Sequence, residues 1–399
     1  MQQIQTYINT KLIFILLCIS SIPYAVLTLF SLFPQPVKVL SSGVLWIAIF
    51  LILRNAFHHA KYHHNTADLL VSFLLFITLL QIIRAFMEEG HTKTLTLLTN
   101  PLHAICLCTP ILYYANQPII ALKHVYRFGL LLICISIFCL HSNYYILYMA
   151  PMIFPYALHR NKYQYLLYAI ILLSLALLYK DAFIPNSQGD TQRALIIILG
   201  YSMIVFAASK LKKYYKTIAL CTACFSIIVP IALFCYSITK EQSVFEYTNE
   251  IEDDHIKGDT RTFLYMETLI DLQTKKAFIE GIGISNGYYS PFFHERNRDV
   301  NEVTFLHYLF RGGLIWLIPY MILIIYAIYH AIKYSRNLLC LGGSIMLSGY
   351  FFACFIMDAI ALSFIHVIIW FFIAACSSKK WTSLTNSTIY RLINNLKCQ

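Results

Sequence analysis

Apolar stretches of about 20 residues recur from one end of this chain to the other. In water they could not all be buried, whereas a hydrocarbon core about 30 Å thick calls for helices of that length. The pattern predicts an all-α polytopic integral membrane protein of about 12 transmembrane helices with one large external loop. Composition agrees: the 399 residues are 59% hydrophobic and 12% charged, against about 25% charged in an average soluble domain. The formal net charge of +11 would suit a nucleic-acid partner if it were concentrated in a patch. Instead, Lys and Arg fall in short groups between apolar runs, as the positive-inside rule expects. Nucleic acid is therefore excluded, and contact with anionic membrane lipid is expected.

The expected spans are 12–33, 37–53, 67–86, 96–115, 128–143, 144–158, 165–179, 194–209, 217–238, 303–329, 338–357 and 359–376. The sixth is short and holds Pro151 and Pro155, so it is re-entrant or broken if it enters the bilayer. Basic groups at Arg54/Lys61, Lys123/Arg127, Arg160/Lys162, Lys210–Lys216, Lys333/Arg336 and Lys379–Lys397 mark the cytoplasmic side. Short links at Phe33–Pro36, Glu88–Lys93 and Lys180–Gln192 fall on the other side, and both termini are then cytoplasmic. Four regions follow: residues 1–238 with nine helices and short loops, a large external loop over 239–302, three more helices over 303–376, and a basic tail over 377–399.

The long loop differs in kind. It holds thirteen of the nineteen Asp and Glu residues against seven Lys and Arg. Thr262–Leu272 can form a helix with one apolar face. Turns are expected at Gly281-Ile-Gly283, Asn286-Gly287 and Ser290-Pro291. None of the twelve cysteines lies in this loop, so no disulfide framework holds it. Cys221 and Cys224, one helical turn apart, read as packing residues. Ordered loops of this size usually serve function.

Four arginines sit at or near the external face. Arg84 closes the third span, Arg193 opens the eighth, Arg261 lies in the loop, and Arg311 is about two turns into the tenth. Guanidinium at membrane depth is costly and faces a cavity or a partner. It also binds phosphate with two parallel hydrogen bonds. Snorkelling of Arg84 and Arg193, and ion pairing of Arg261 with loop acids, are the plain alternatives. A second group holds Glu267, Asp271, His294, Glu295, Asp299, Glu302 and His307. From it, Glu302, His294 and Glu267 are candidate catalytic bases, with a solvated face as the ordinary alternative. Asp253-Asp254-His255 lacks a third ligand at a defined spacing, so neither metal nor cofactor is expected. There is no P-loop, no GxSxG and no HExxH.

With these residues in place, the chain resembles the bacterial O-antigen polymerase and ligase superfamily. Asp190-Thr-Gln-Arg-Ala194 resembles that family's Thr/Ser-x-Arg motif at the outer end of a helix. Gly258-Asp-Thr-Arg261, running through Met266-Glu267 to Gly281-Ile-Gly283, resembles its arginine, amphipathic helix and Gly-x-Gly series. Leu306-His-Tyr-Leu309-Phe-Arg-Gly-Gly313-Leu-Ile-Trp316 resembles its re-entry segment. Two positions depart from the pattern: Glu302-Val303 stands where His-Asn is common, and Trp316 replaces the last glycine of Gly-Leu-Ile-Gly. The missing histidine points to the polymerase branch.

The resemblance implies an inverting transfer between undecaprenyl-diphosphate-linked oligosaccharides at the periplasmic face of the inner membrane. A chain-length regulator and a flippase would be the protein partners. Arg193 and Arg261 would hold diphosphate by motif; Arg311 and Arg84 join them by position alone. A ligase to lipid A–core and a flippase for lipid-linked sugars are the competing readings. A flippase would predict inverted repeats and charges near the midplane.

Overall fold

The computed structural model describes residues 12–13, 15–16, 43–44, 46–54, 65–99, 105–115, 200–201, 203–240, 260–284, 286–291, 295–298, 301, 303–356 and 364–395. The expected spans 128–143, 144–158 and 165–179 lie outside these residues, as do most of 12–33 and part of 37–53, 194–209 and 359–376.

The described chain is mainly helical. Helix α1 runs Thr66–Thr99, α2 Tyr215–Lys240 and α3 Thr260–Thr274. A β-hairpin, β1 Tyr288–Ser290 and β2 Glu295–Arg298, precedes α4 Thr304–Tyr334. Then come α5 Leu338–Cys354, α6 Phe364–Ser377, α7 Lys379–Ser383 and α8 Asn386–Asn395. Among the described residues, three stretches are long and apolar enough to cross a membrane: Thr66–Glu88, Lys212–Thr239 and Thr304–Tyr334. Large apolar side chains such as Leu69, Phe76, Phe225 and Ile228 are exposed on their surfaces. In water that would be an anomaly, while in lipid it is the ordinary outer face.

Helix α4 is central and packs against α1, α2, α5 and α6. Its buried aromatics form a column. Trp316 stacks on Tyr308 at 4.7 Å, and Tyr320 lies 5.0 Å from Trp316 and 5.7 Å from Trp370. Two polar tips of this column are hydrogen-bonded, as buried Tyr and Trp generally are. The Trp316 indole donates to Thr78 Oγ1 at 3.1 Å, and the Tyr320 and Tyr350 hydroxyls meet at 2.8 Å.

Three expectations need correcting. The link expected at Glu88–Lys93 is helical, because α1 continues to Thr99. No proline interrupts it there, and an Arg84–Glu88 pair one turn apart supports it. The segment expected as a span at 96–115 is instead the end of α1 followed by a 3₁₀ helix, Ile105–Ala115. Pro110 lies inside that helix and cannot donate to an α-helical ladder. Leu107, Ile111 and Leu112 bury it between α1 and α6, where irregular backbone is tolerated at membrane depth. Lastly, the all-α reading omitted the hairpin, in which Tyr288 pairs with Arg298 and Ser290 with Glu295 across an irregular register.

Helix α3 covers the expected 262–272 helix. Leu264, Thr268 and Leu272 recur every four residues on its buried face. The expected basic tail contains α7 and α8.

Candidate functional site

Gly313 breaks α4. Its φ of 70° and ψ of −178° are non-helical, and the helix resumes after it. A break strands backbone donors and acceptors, which must be satisfied when buried. The loop after α3 supplies the partners. Leu314 N donates to the Phe278 carbonyl at 2.9 Å, Ile315 N to Ile279 at 3.1 Å, and the Phe310 carbonyl accepts from Ile282 N at 2.7 Å. The two backbones approach so closely that a Cβ on Gly281 would lie 2.6 Å from both the Arg311 carbonyl and Gly313 N. Gly281 and Gly313 both hold positive φ, a region glycine enters without steric cost.

Arg311 completes the junction. It is 0% exposed, and its Nη1 donates to the carbonyls of Gly283 at 3.3 Å, Asn286 at 2.7 Å and Ile284. The guanidinium also lies 4.7 Å from the Phe310 ring centroid. This arginine holds loop backbone through Nη1. A cation two turns into an apolar helix is bearable because three carbonyls accept from its Nη1 and an aromatic face lies beside it.

Helix α1 forms the neighbouring wall. Gln81 Nε2 donates to the Glu280 carbonyl at 2.6 Å, and Arg84 Nη1 to the Gly281 carbonyl at 3.2 Å. Arg84 also pairs with Glu88 at 2.7 Å and Glu280 at 3.6 Å. Its side chain keeps 30% exposure, so a phosphate could reach it by displacing a carboxylate. Opposite, Glu267 on α3 accepts from Ser290 Oγ at 2.7 Å. Thr268 receives Asn301 Nδ2 at 2.8 Å, and Asn301 also accepts from Val303 N at 2.9 Å. His307 is fully buried, with Nδ1 3.4 Å from Asn301 N. Asn301 thus ties α3 to the start of α4.

Of the expected site residues, Arg84, Glu267 and Arg311 lie around this junction, though on different sides of it. Arg261 stands in the first turn of α3 by its backbone. Arg193, His294 and Glu302 lie outside the described residues. No group of three or more metal-ligating side chains occurs among the described residues. Gln81, Thr268, Ser290 and Asn301 were not anticipated. As ordinary polar residues without a motif they carried no sequence signal, except that Gln81 interrupts an apolar helix one turn before Arg84.

No family model matches the chain, and no curated protein or solved structure matches it.

Proposed function

We propose that the chain is a repeat-unit polymerase of the O-antigen type: a membrane glycosyltransferase that joins lipid-diphosphate-linked oligosaccharides. One observation carries the reading. The Gly-x-Gly segment and the re-entry segment, two of the three stretches behind the family resemblance, are bonded backbone to backbone with an accessible arginine on their rim. Such a junction gives a rigid wall beside a cation, which suits catalysis by preorganised charge. In the proposed step an acceptor hydroxyl attacks the anomeric carbon, the bond to the diphosphate breaks, and the hydroxyl proton passes to a carboxylate or imidazole. Arg84, with Arg193 and Arg261, steadies the departing diphosphate. Glu267, His294 and Glu302 are the candidate bases. Arg311 organises the wall.

A flippase for the same lipid-linked sugars is the second reading, favoured by the broken α4, since transporters build their sites on discontinuous helices. Full-length protein reconstituted with a defined lipid-linked repeat unit separates the two. Products of two or more repeats support the polymerase. Transbilayer movement without elongation rejects it for the flippase, and transfer only to lipid A–core rejects it for the ligase. In cells, loss of the protein should leave lipopolysaccharide bearing a single repeat, whereas core alone would contradict the proposal.

A further inference from the structure

The opposite end of the bundle gathers basic and aromatic side chains from three separate stretches. Lys210, Lys212, Lys213 and Lys216 precede or open α2 and are all exposed. Lys333 and Arg336 flank the end of α4, while Lys379, Lys380 and Arg391 come from α7 and α8; these too are exposed. Tertiary contacts draw the stretches together. Lys216 Nζ reaches the Lys333 carbonyl at 3.4 Å, Arg336 N donates to the Thr382 carbonyl at 2.9 Å, and Leu338 N donates to Asn386 Oδ1 at 2.8 Å. No Asp or Glu occurs in 200–240, 325–356 or 364–395. Asp68, at the start of α1, is tied into the helix cap by reciprocal bonds with Asn65 at 3.2 and 2.9 Å.

The lysines are interleaved with aromatic rings. Lys333 lies 5.3 Å from the Tyr329 ring and 5.2 Å from Tyr334, Lys213 5.5 Å from Tyr214, and Lys380 5.6 Å from Trp381. Tyr214, Tyr329, Tyr334 and Tyr390 are all exposed. Amphipathic rings beside long cationic side chains are the chemistry of the headgroup layer, where rings meet acyl chains and ammonium groups meet phosphate. Helix α8 fits that layer, with Ile389 buried against the bundle and Tyr390, Arg391 and Leu392 outward.

We infer that this end is a docking surface for anionic phospholipid headgroups, and that α7 and α8 form an interfacial clamp on them. Charge complementarity selects the occupant: a surface with outward cations from three stretches attracts an anionic leaflet and gains little from a zwitterionic one.

Thermal unfolding of the full-length protein in neutral detergent tests this. Added phosphatidylglycerol should raise the midpoint by about 5 °C, as a ligand bound only by the folded state does. Lys379→Gln/Lys380→Gln/Arg391→Gln, and separately Lys212→Gln/Lys213→Gln, should each lose at least half of that shift. Lys379→Arg/Lys380→Arg should retain it, as should Lys276→Gln beside α3. An equal shift from phosphatidylcholine, a matching shift from inorganic phosphate, or a full phosphatidylglycerol shift in the glutamine variants would overturn the inference.

Discussion

The two ends of α4 solve the same problem with opposite electrostatics. At each end one buried polar residue collects several backbone carbonyls. Arg311 takes those of Gly283, Ile284 and Asn286. Asn337, 1% exposed, takes those of Trp381 and Leu384 at 3.0 Å and approaches Thr382 at 3.5 Å, while its Oδ1 caps α5 through Cys340 N at 2.8 Å. The loop end turns a full charge inward, and the tail end uses a neutral amide and turns its charges outward. A buried cation needs acceptors, and the carbonyls that Arg311 Nη1 holds tie Gly283, Ile284 and Asn286 to α4. Phe278, Ile279, Ile282, Gly283, Ile284 and Asn286 of the acidic loop are thus bonded to α4. Arg84, on the rim, keeps 30% of its side chain exposed.

The strongest way to break this comparison is Gly313→Ala. The new Cβ would run into the Ile279 carbonyl at a positive φ, costing about 4 kcal/mol or more. Folded yield in detergent should collapse; a stable variant would mean that the two backbones are not interlocked. Arg311→Met comes next. Orphaning its carbonyls should cost about 3 kcal/mol, read as a lowered unfolding midpoint. Normal stability with lost elongation would instead return Arg311 to the diphosphate site.

Asn337→Ala should cost about 2 kcal/mol through the lost cap and the freed tail. Limited proteolysis should then cut near Ser383–Thr385, and an unchanged digestion pattern would show that α7 and α8 hold without the latch. Arg84→Gln should move stability least, by under about 1 kcal/mol, because its ion pairs are partly solvated. Elongation of a lipid-linked repeat should nevertheless fall at least tenfold. Full activity would remove Arg84 from the proposed site.

Local pattern was enough for α3. Its buried Leu264, Thr268 and Leu272 lie at a spacing that any reader of the sequence can mark. The turns at Gly281 and Gly283 were visible for the same reason, since both adopt the positive φ that glycine permits. The hairpin was not visible, because Glu295-Arg-Asn-Arg298 is polar and lacks β-branched or aromatic residues. Nor was the continuity of α1 past Glu88, where charged residues imitate the end of a span although nothing breaks the helix.

Hydropathy and periodicity alone settled that this chain makes membrane-length apolar helices and an amphipathic helix in its acidic loop, because both depend on residues close in sequence. The direction of Arg311 could not be read that way. Its position suggested an outward ligand, but its partners lie 25 to 28 residues upstream on a loop. Only when Gly281 and Gly313 let two backbones meet does that loop present its carbonyls to the guanidinium. Burial then separates the two arginines: Arg311 is held inside the fold by loop carbonyls, while the Arg84 side chain keeps contact with solvent.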